Sequence, residues 1–447
     1  MRSVLIALAI AVPHLASAAP AKLTLAEVIA KALASPRARM ASDDRDAAKS
    51  TVDQADAARD PRIKVTAFGT ISPDITCLDP GCTMTEPQNF SFNFKGFYGS
   101  AQLDITQPLF TFGKLSHARA AARAGLDAQK ALADEAAGDL VSDAARAYWG
   151  LKVARELGDM LDDGIEQIAH AKDDFDAQAK TGKGTVTIQD RQRVAVLLAE
   201  AKAQRAEAAQ AEGEALAGLR ALVDSPDADI DDTELAAIDH ALPDGKTFAT
   251  TAIDQRPQAK AARSGAKAGD ELADLEHAGY FPDFALVASA VASKAQGVTD
   301  PPGAFANDPY NRYGAGVVLG LSWTLEPWNV AAREGKAKAQ AHHAHALADL
   351  AADGARLDAD SALAQAKAAH DKVDAAGDGE KAARTWLAAV LQNEAIGAAE
   401  SRDLADAYIA WFQMRARWAT AVMQWNVAVV RLGRAAGEYR AGGGRPN

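Results

Sequence analysis

Two periodicities alternate along this chain, and the alternation occurs twice. From Phe97 to Ile105 every second residue is apolar or small (Phe97, Gly99, Ala101, Leu103, Ile105), and Ser100, Gln102, Asp104 and Thr106 fall between or beside them. The same period returns in Tyr313, Ala315, Val317, Leu319, Leu321, Trp323 and Leu325. Alternation of this kind predicts strands, and residues 62–72 and 281–293 supply a second strand to each copy. The rest of the pattern is helical. Residues 23–58 and 248–278 predict an opening helix for each copy, the first with the capping box Thr24-Leu25-Ala26-Glu27. Residues 113–180 predict an outgoing helix that breaks at Thr181-Gly-Lys-Gly184 and returns to Val223. Residues 327–392 predict another, which passes Gly397 and returns to Gly433. The outgoing arms, at about 65 to 70 residues, are roughly 100 Å long. The returning arms have only about 40 residues. That deficit matches the opening helix, which is expected to stack end to end on the short arm, giving a tube of helices.

On the last returning arm Leu404, Trp411, Trp418, Trp425 and Leu432 recur every seventh residue, beside Tyr408, Val422 and Val429, with Arg415 interrupting. A seven-residue repeat implies a supercoiled seam. Tryptophans in such a seam are expected to pack as core rather than to form a ligand box.

Proline placement shows that the chain is duplicated. No proline falls between Pro108 and Pro226, or between Pro327 and Pro446, two runs of 117 and 118 residues. Pro36 and Pro61 are 25 apart, as are Pro257 and Pro282. Two copies offset by about 220 residues follow from this, and a repeat sets the architecture before any single element does. The expected boundaries are a first repeat at 20–226, a linker at 227–247, a second repeat at 248–437 and a flexible tail at 438–447.

Composition excludes several classes. Lys plus Arg is 48 against 60 Asp plus Glu, a net charge of −12. That balance argues against a nucleic-acid partner, because phosphate affinity rests on clustered cations. With 48% hydrophobic and 24% charged residues, wholesale disorder is also excluded. Alanine supplies much of the apolar count and lets helices approach closely. Residues 1–19 read as a secretory signal: Arg2, an apolar stretch from Val4 to Val12, and Ala16-Ser17-Ala18-Ala19 for cleavage after Ala18 or Ala19. The mature chain is therefore exported. Cys77 and Cys82 flank the turn residues Asp79-Pro80-Gly81. In an oxidising compartment they are expected to form a disulfide that staples a loop. A metal site there would need further ligands that are not nearby.

Strands of ten or more residues with aromatic ends are what an outer-membrane barrel requires. A half-buried soluble sheet gives the same alternation, and export together with length favours the barrel. Four strands cannot close one. Edges facing lipid must be paired, so the chain must oligomerise.

At this point the chain resembles the TolC-like outer-membrane efflux proteins over essentially its whole mature length. Leu23-Thr-Leu-Ala-Glu-Val-Ile-Ala-Lys-Ala-Leu33 is similar to the family's opening helix, and Gln107-Pro-Leu-Phe-Thr-Phe-Gly113 to its strand-to-helix junction. Gln255-Arg-Pro-Gln258 is similar to the start of its second copy. The resemblance implies a mainly α fold with a small β part. Its long helical hairpins would form a periplasmic tunnel, and four strands per protomer would enter a twelve-stranded barrel shared by a homotrimer. It also implies a periplasmic adaptor, an inner-membrane transporter and outer-membrane lipid as partners. The family's second hairpin tip carries a glycine, then aspartates six and nine residues later. Gly397, Asp403 and Asp406 match all three, and two stacked carboxylate rings would make a cation-binding constriction. Gly184 and Asp190 keep the glycine-plus-six spacing in the first copy. The bland alternative is a solvated helix face, since paired aspartates are frequent in this chain. The family's latch arginine is Ala399 here, followed by Glu400. Arg402 is the candidate substitute, with Asp190 of the neighbouring hairpin as its partner.

Enzyme signatures are lacking: there is no H-E-x-x-H, G-x-S-x-G or phosphate loop, and no catalytic residue or cofactor is nominated. His342, His343 and His345 are the one histidine cluster, and a hydrated helix surface is preferred to a metal site for them. The expected function is a passive outer-membrane exit duct of a tripartite efflux pump or type I secretion system, for drugs, toxic compounds or secreted protein. The alternatives are a non-conducting periplasmic coiled-coil scaffold and a metal-efflux duct.

Overall fold

A computed structural model describes residues 21–77, 90–181, 186–296, 311–395 and 401–439. The first repeat contributes β1 (Ala21–Leu23), α1 (Leu25–Ala32), α2 (Pro36–Ala57), β2 (Arg62–Cys77), β3 (Phe90–Phe110), α3 (Lys114–Thr181) and α4 (Ile188–Leu222). A short strand, β4 (Ala228–Ile230), follows. The second repeat contributes α5 (Gly245–Gln255), α6 (Pro257–His277), β5 (Asp283–Ala295), β6 (Arg312–Ser322), α7 (Pro327–Ala395) and α8 (Ser401–Ala435). The order helix, helix, strand, strand, long helix, shorter helix thus occurs twice.

Each expected opening helix is in fact two. The residue before a proline is pushed out of the helical region, and proline is well placed at the first helical position. Pro36 and Pro257 accordingly begin α2 and α6. Thr24 caps α1 as its sequence predicts, Glu27 Oε2 accepting from the Thr24 backbone N–H at 2.8 Å. The expected linker at 227–247 is not a plain connection. Within it β4 pairs in parallel with β1 (Ala21↔Ala228, Leu23↔Ile230), and α5 starts inside its last three residues.

The chain divides into two compact units. One comprises Met1–Asp44, Lys130–Ala261 and Leu350–Asn447; the other comprises Arg45–Gln129 and Ala262–Asp349. The first, helical unit has three apolar clusters. One joins Val28 of α1 to Val141, Tyr148 and Leu151 of α3, Leu219 of α4 and Val422 of α8. A second joins Ile168, Val194, Leu387, Leu404, Tyr408 and Phe412 from all four long helices. The third packs Phe248 of α5 against Leu363, Trp425 and Leu432. Alanine lines much of these seams, as expected for closely spaced helices. Gly164 of α3 marks the tightest approach, where a Cβ would overlap the Phe412 ring. Of the heptad tryptophans, Trp425 is buried, while Trp411 and Trp418 are half-buried. The interrupting Arg415 bonds Glu156, lies 3.5 Å from Glu380 and stacks its guanidinium 4.4 Å above the Trp418 ring.

The Gln255-Arg256-Pro257-Gln258 stretch has a physical account. Pro257 starts α6, and the Arg256 side chain is buried with Nη1 2.5 Å from Asp358 of α7. Its Nη2 lies 3.7 Å from Glu135 of α3, which also takes Arg434 of α8 at 2.7 Å. Three helices therefore meet α5–α6 through one charged node, and burial without such pairing would be costly.

The second unit contains one antiparallel sheet in the order β2-β3-β5-β6. Its strands are bounded differently from expectation: β2 and β3 run longer, while β6 stops at Ser322. The expected signal segment at 1–19, residues Gly184 and Gly397, and Cys82 lie outside the described residues. Cys77 ends β2, so its expected disulfide with Cys82 also lies outside them.

Candidate functional site

The register of the sheet sorts its residues into two faces, because successive side chains point to opposite sides. Ile63 pairs with Ile105, Ile105 with Ala288, and Ala288 with Val317. The next row of the same face is Val65, Leu103, Ala290 and Ala315, and the one after it is Ala67, Ala101, Ala292 and Tyr313. Apolar residues thus run across all four strands. The opposite face carries Lys64, Asp104, Ser289 and Gly316 in one row, and Thr66, Gln102, Val291 and Gly314 in the next.

The apolar face is uncovered, and Lys64, Thr66, Gln102 and Ser289 of the opposite face are exposed as well. Ile63 is 67% exposed, Val65 69%, Val317 64% and Leu319 68%. A soluble sheet buries that face, and a contiguous apolar surface of this extent marks contact with lipid or protein. No described helix is long and apolar enough to cross a membrane. Among the described residues no strand pairs with the outer edge of β2 or β6.

The second candidate region is the pair of hairpin ends. Asp190 stands three residues after the Thr187 cap of α4, and its Oδ2 accepts from the Thr187 backbone N–H (2.9 Å) and hydroxyl (2.6 Å). Its Oδ1 accepts from the Ser401 hydroxyl at 2.5 Å, joining α4 to the start of α8. Ser401 is buried and also accepts from Arg193 Nη1 at 3.1 Å. The Ser401 hydroxyl, then the Thr187 hydroxyl and N–H, hold the Asp190 carboxyl down at about 2. Its folded value lies below the ordinary Asp value of 3.8. Its stabilising effect is therefore complete above the unfolded value and is lost as pH falls through about 2. Two turns into α8, the buried Tyr408 donates to Gln167 of α3 at 2.9 Å.

Asp403 and Asp406 lie on the solvent face of α8, opposite the buried Leu404, Ala405, Ala407 and Tyr408. Arg402 approaches Asp406 at 3.7 Å along the same helix. Within the chain Asp190 is thus engaged by Ser401 and Arg193, and Arg402 by Asp406. Sequence reasoning missed Ser401 and Arg193; the Thr187-x-x-Asp190 capping box was the available signal. Of the histidine cluster, His345 faces Asp270 of α6 at 2.9 Å, and His342 and His343 are exposed.

The sequence profile of the family described as "Outer membrane efflux protein" matches residues 28–224 and again 249–438. The chain belongs to this family. Its two matched stretches each hold one copy of the repeated element order. No curated protein sequence matches the chain. Solved structures with the same fold include the CmeC outer membrane channel of Campylobacter jejuni, 16% identical with a TM-score of 0.76, over 94% of this chain and 86% of that one. The outer membrane protein VceC of Vibrio cholerae is 18% identical with a TM-score of 0.74, covering 92% and 96%. A membrane protein from Pseudomonas aeruginosa is 20% identical with a TM-score of 0.74, covering 92% and 93%. The chain is therefore an efflux protein of the outer membrane, with a TolC-like duplicated fold, from a family of transport ducts rather than of enzymes.

Proposed function

We propose that three copies of this chain close their sheets into one twelve-stranded barrel, and that the long hairpins of the two repeats, 20–226 and 248–437, form a periplasmic conduit beneath it. The assembly is the passive exit duct of a tripartite efflux pump or type I secretion system. It is fed by a periplasmic adaptor and energised by an inner-membrane transporter. The observation that carries this reading is the four-stranded sheet with an exposed apolar face and two open edges. Backbone groups at an edge facing lipid must find partners. Strands in β2-β3-β5-β6 alternate in direction, so β6 of one copy meets β2 of the next antiparallel, and an even strand count closes without a mismatch.

The hairpin ends supply the gate in this reading. Asp190, Ser401 and Arg193 tie the two hairpins of one protomer. Three-fold symmetry turns Asp403 and Asp406 into two stacked carboxylate rings.

The expected result for detergent-solubilised protein is a mass of three chains by light scattering, with material retained in outer membranes after a high-salt wash. A stable monomer with full strand content contradicts the shared barrel. Release by salt would favour the periplasmic scaffold instead.

A further inference from the structure

Three histidines of the strand-bearing unit meet carboxylates: His277 meets Glu334 at 3.1 Å, His345 meets Asp270 at 2.9 Å, and His117 meets Glu271 at 2.8 Å. The first two are pairs. The third has a further carboxylate, Asp274, and one ligand atom from each of His117, Glu271 and Asp274 lies within 4.8 Å of the others. Among the described residues no other set of three or more such groups converges in this way.

The local backbone builds this arrangement. Gly113 ends the junction after β3 with φ +94°, and the His117 N–H donates to its carbonyl at 2.8 Å in the first turn of α3. A Cβ at Gly113 would stand 3.0 Å from His117 Cδ2 and 3.2 Å from Nε2. Glycine thus leaves room for the ring edge that carries Nε2, while Nδ1 faces Glu271 of α6. Glu271 and Asp274 are three residues apart and share a helix face. His117 and Glu271 are half-buried, which weakens solvent screening of their charges. The neighbouring cation Lys114 is held by Asp283 at 2.9 Å.

We infer that His117, Glu271 and Asp274 hold a divalent transition-metal ion of the Zn²⁺ class, as a staple between the start of α3 and α6. One imidazole with two carboxylates suits Zn²⁺ or Co²⁺, at bond lengths of about 2.0–2.2 Å, with water in the open position. Ca²⁺ and Mg²⁺ prefer oxygen-only shells, and Cu⁺ prefers sulfur. Drawing the three atoms onto one ion needs side-chain movements of about 1 Å, given those bond lengths. The helices so joined are the one that follows β3 and the one that precedes β5, and β3 and β5 are hydrogen-bonded neighbours. The ion fixes this strand-to-helix corner. It is not cargo, and the inference stands apart from the gate and the partner proteins.

The test uses full-length protein in detergent, stripped with chelator and then titrated with Zn²⁺ and, separately, with Co²⁺ followed by visible absorption. The parent and the control His345→Ala are expected to bind one tight ion per chain. Removing even an outer-shell partner of a metal site costs about 10–100-fold in affinity. His117→Ala and Glu271→Gln are each expected to lose at least that much, with unchanged circular dichroism. Glu271→Gln keeps the shape of the side chain and decides the matter if His117→Ala fails to fold. A parent that binds no stoichiometric ion, a Glu271→Gln protein that binds as the parent does, or an equal loss in His345→Ala overturns the site.

Discussion

Replacing Asp403 and Asp406 together by alanine is expected to abolish the cation preference of the reconstituted channel and to weaken its block by trivalent cations at least tenfold. Both side chains lie on the solvent face of α8, clear of its buried seam. Their three-residue spacing sets them about 4.5 Å apart along the axis. In the proposed trimer six carboxylates would surround the lumen. One carboxylate attracts a trivalent cation about 8 Å away by about 1.5 kcal/mol even at the dielectric constant of water, already a factor of about ten. Because neither residue packs against a partner helix, the double variant should assemble as the parent does. Reversal potentials under a salt gradient, and current with and without a trivalent cation, measure the effect. A double variant that selects and blocks like its parent would show that the two aspartates are only solvated helix surface.

The second large effect is structural. Asn426 of α8 is fully buried; its Oδ1 accepts from the Ile238 N–H at 2.8 Å and its Nδ2 donates to the Ala236 carbonyl at 2.8 Å. Next to it, Trp425 Nε1 donates to the Ile238 carbonyl at 2.7 Å. This one amide therefore serves two backbone groups of the segment that joins the repeats. Asn426→Ala removes both bonds, at about 1–3 kcal/mol for each group left unsatisfied. Asn426→Asp should be no rescue. A carboxylate still accepts from Ile238 but cannot donate to Ala236, and it buries a charge. Both variants are expected to lower the apparent melting temperature by several degrees and to raise hydrogen exchange at the Ile238 amide. Parent-like protection at Ile238 in Asn426→Ala would show that other contacts hold the segment.

The features legible in the sequence are those with a period or a breaker. Proline spacing gave away the duplication, and the alternation of Leu103, Ile105, Val317 and Leu319 marked one strand of each copy and its apolar face. That alternation could not say whether the face is covered; only the exposed rows across four paired strands do. β1 and β4 escaped notice because three residues are too few to display any period. The breaks ahead of Pro36 and Pro257 were written in the prolines, yet flanking helical composition masked them. The contact of Asp190 with Ser401 and the convergence of His117 with Glu271 and Asp274 join residues far apart in the chain. Local pattern carries no information on such meetings; they are products of helix register.

Copies of this chain are expected to assemble into a conducting pore across the outer membrane. Planar-bilayer recording of the purified protein is the test. Discrete, long-lived conductance steps of uniform size are expected, carried by material with the mass of three chains. Correctly folded trimers that insert and yet leave the bilayer sealed would contradict this expectation.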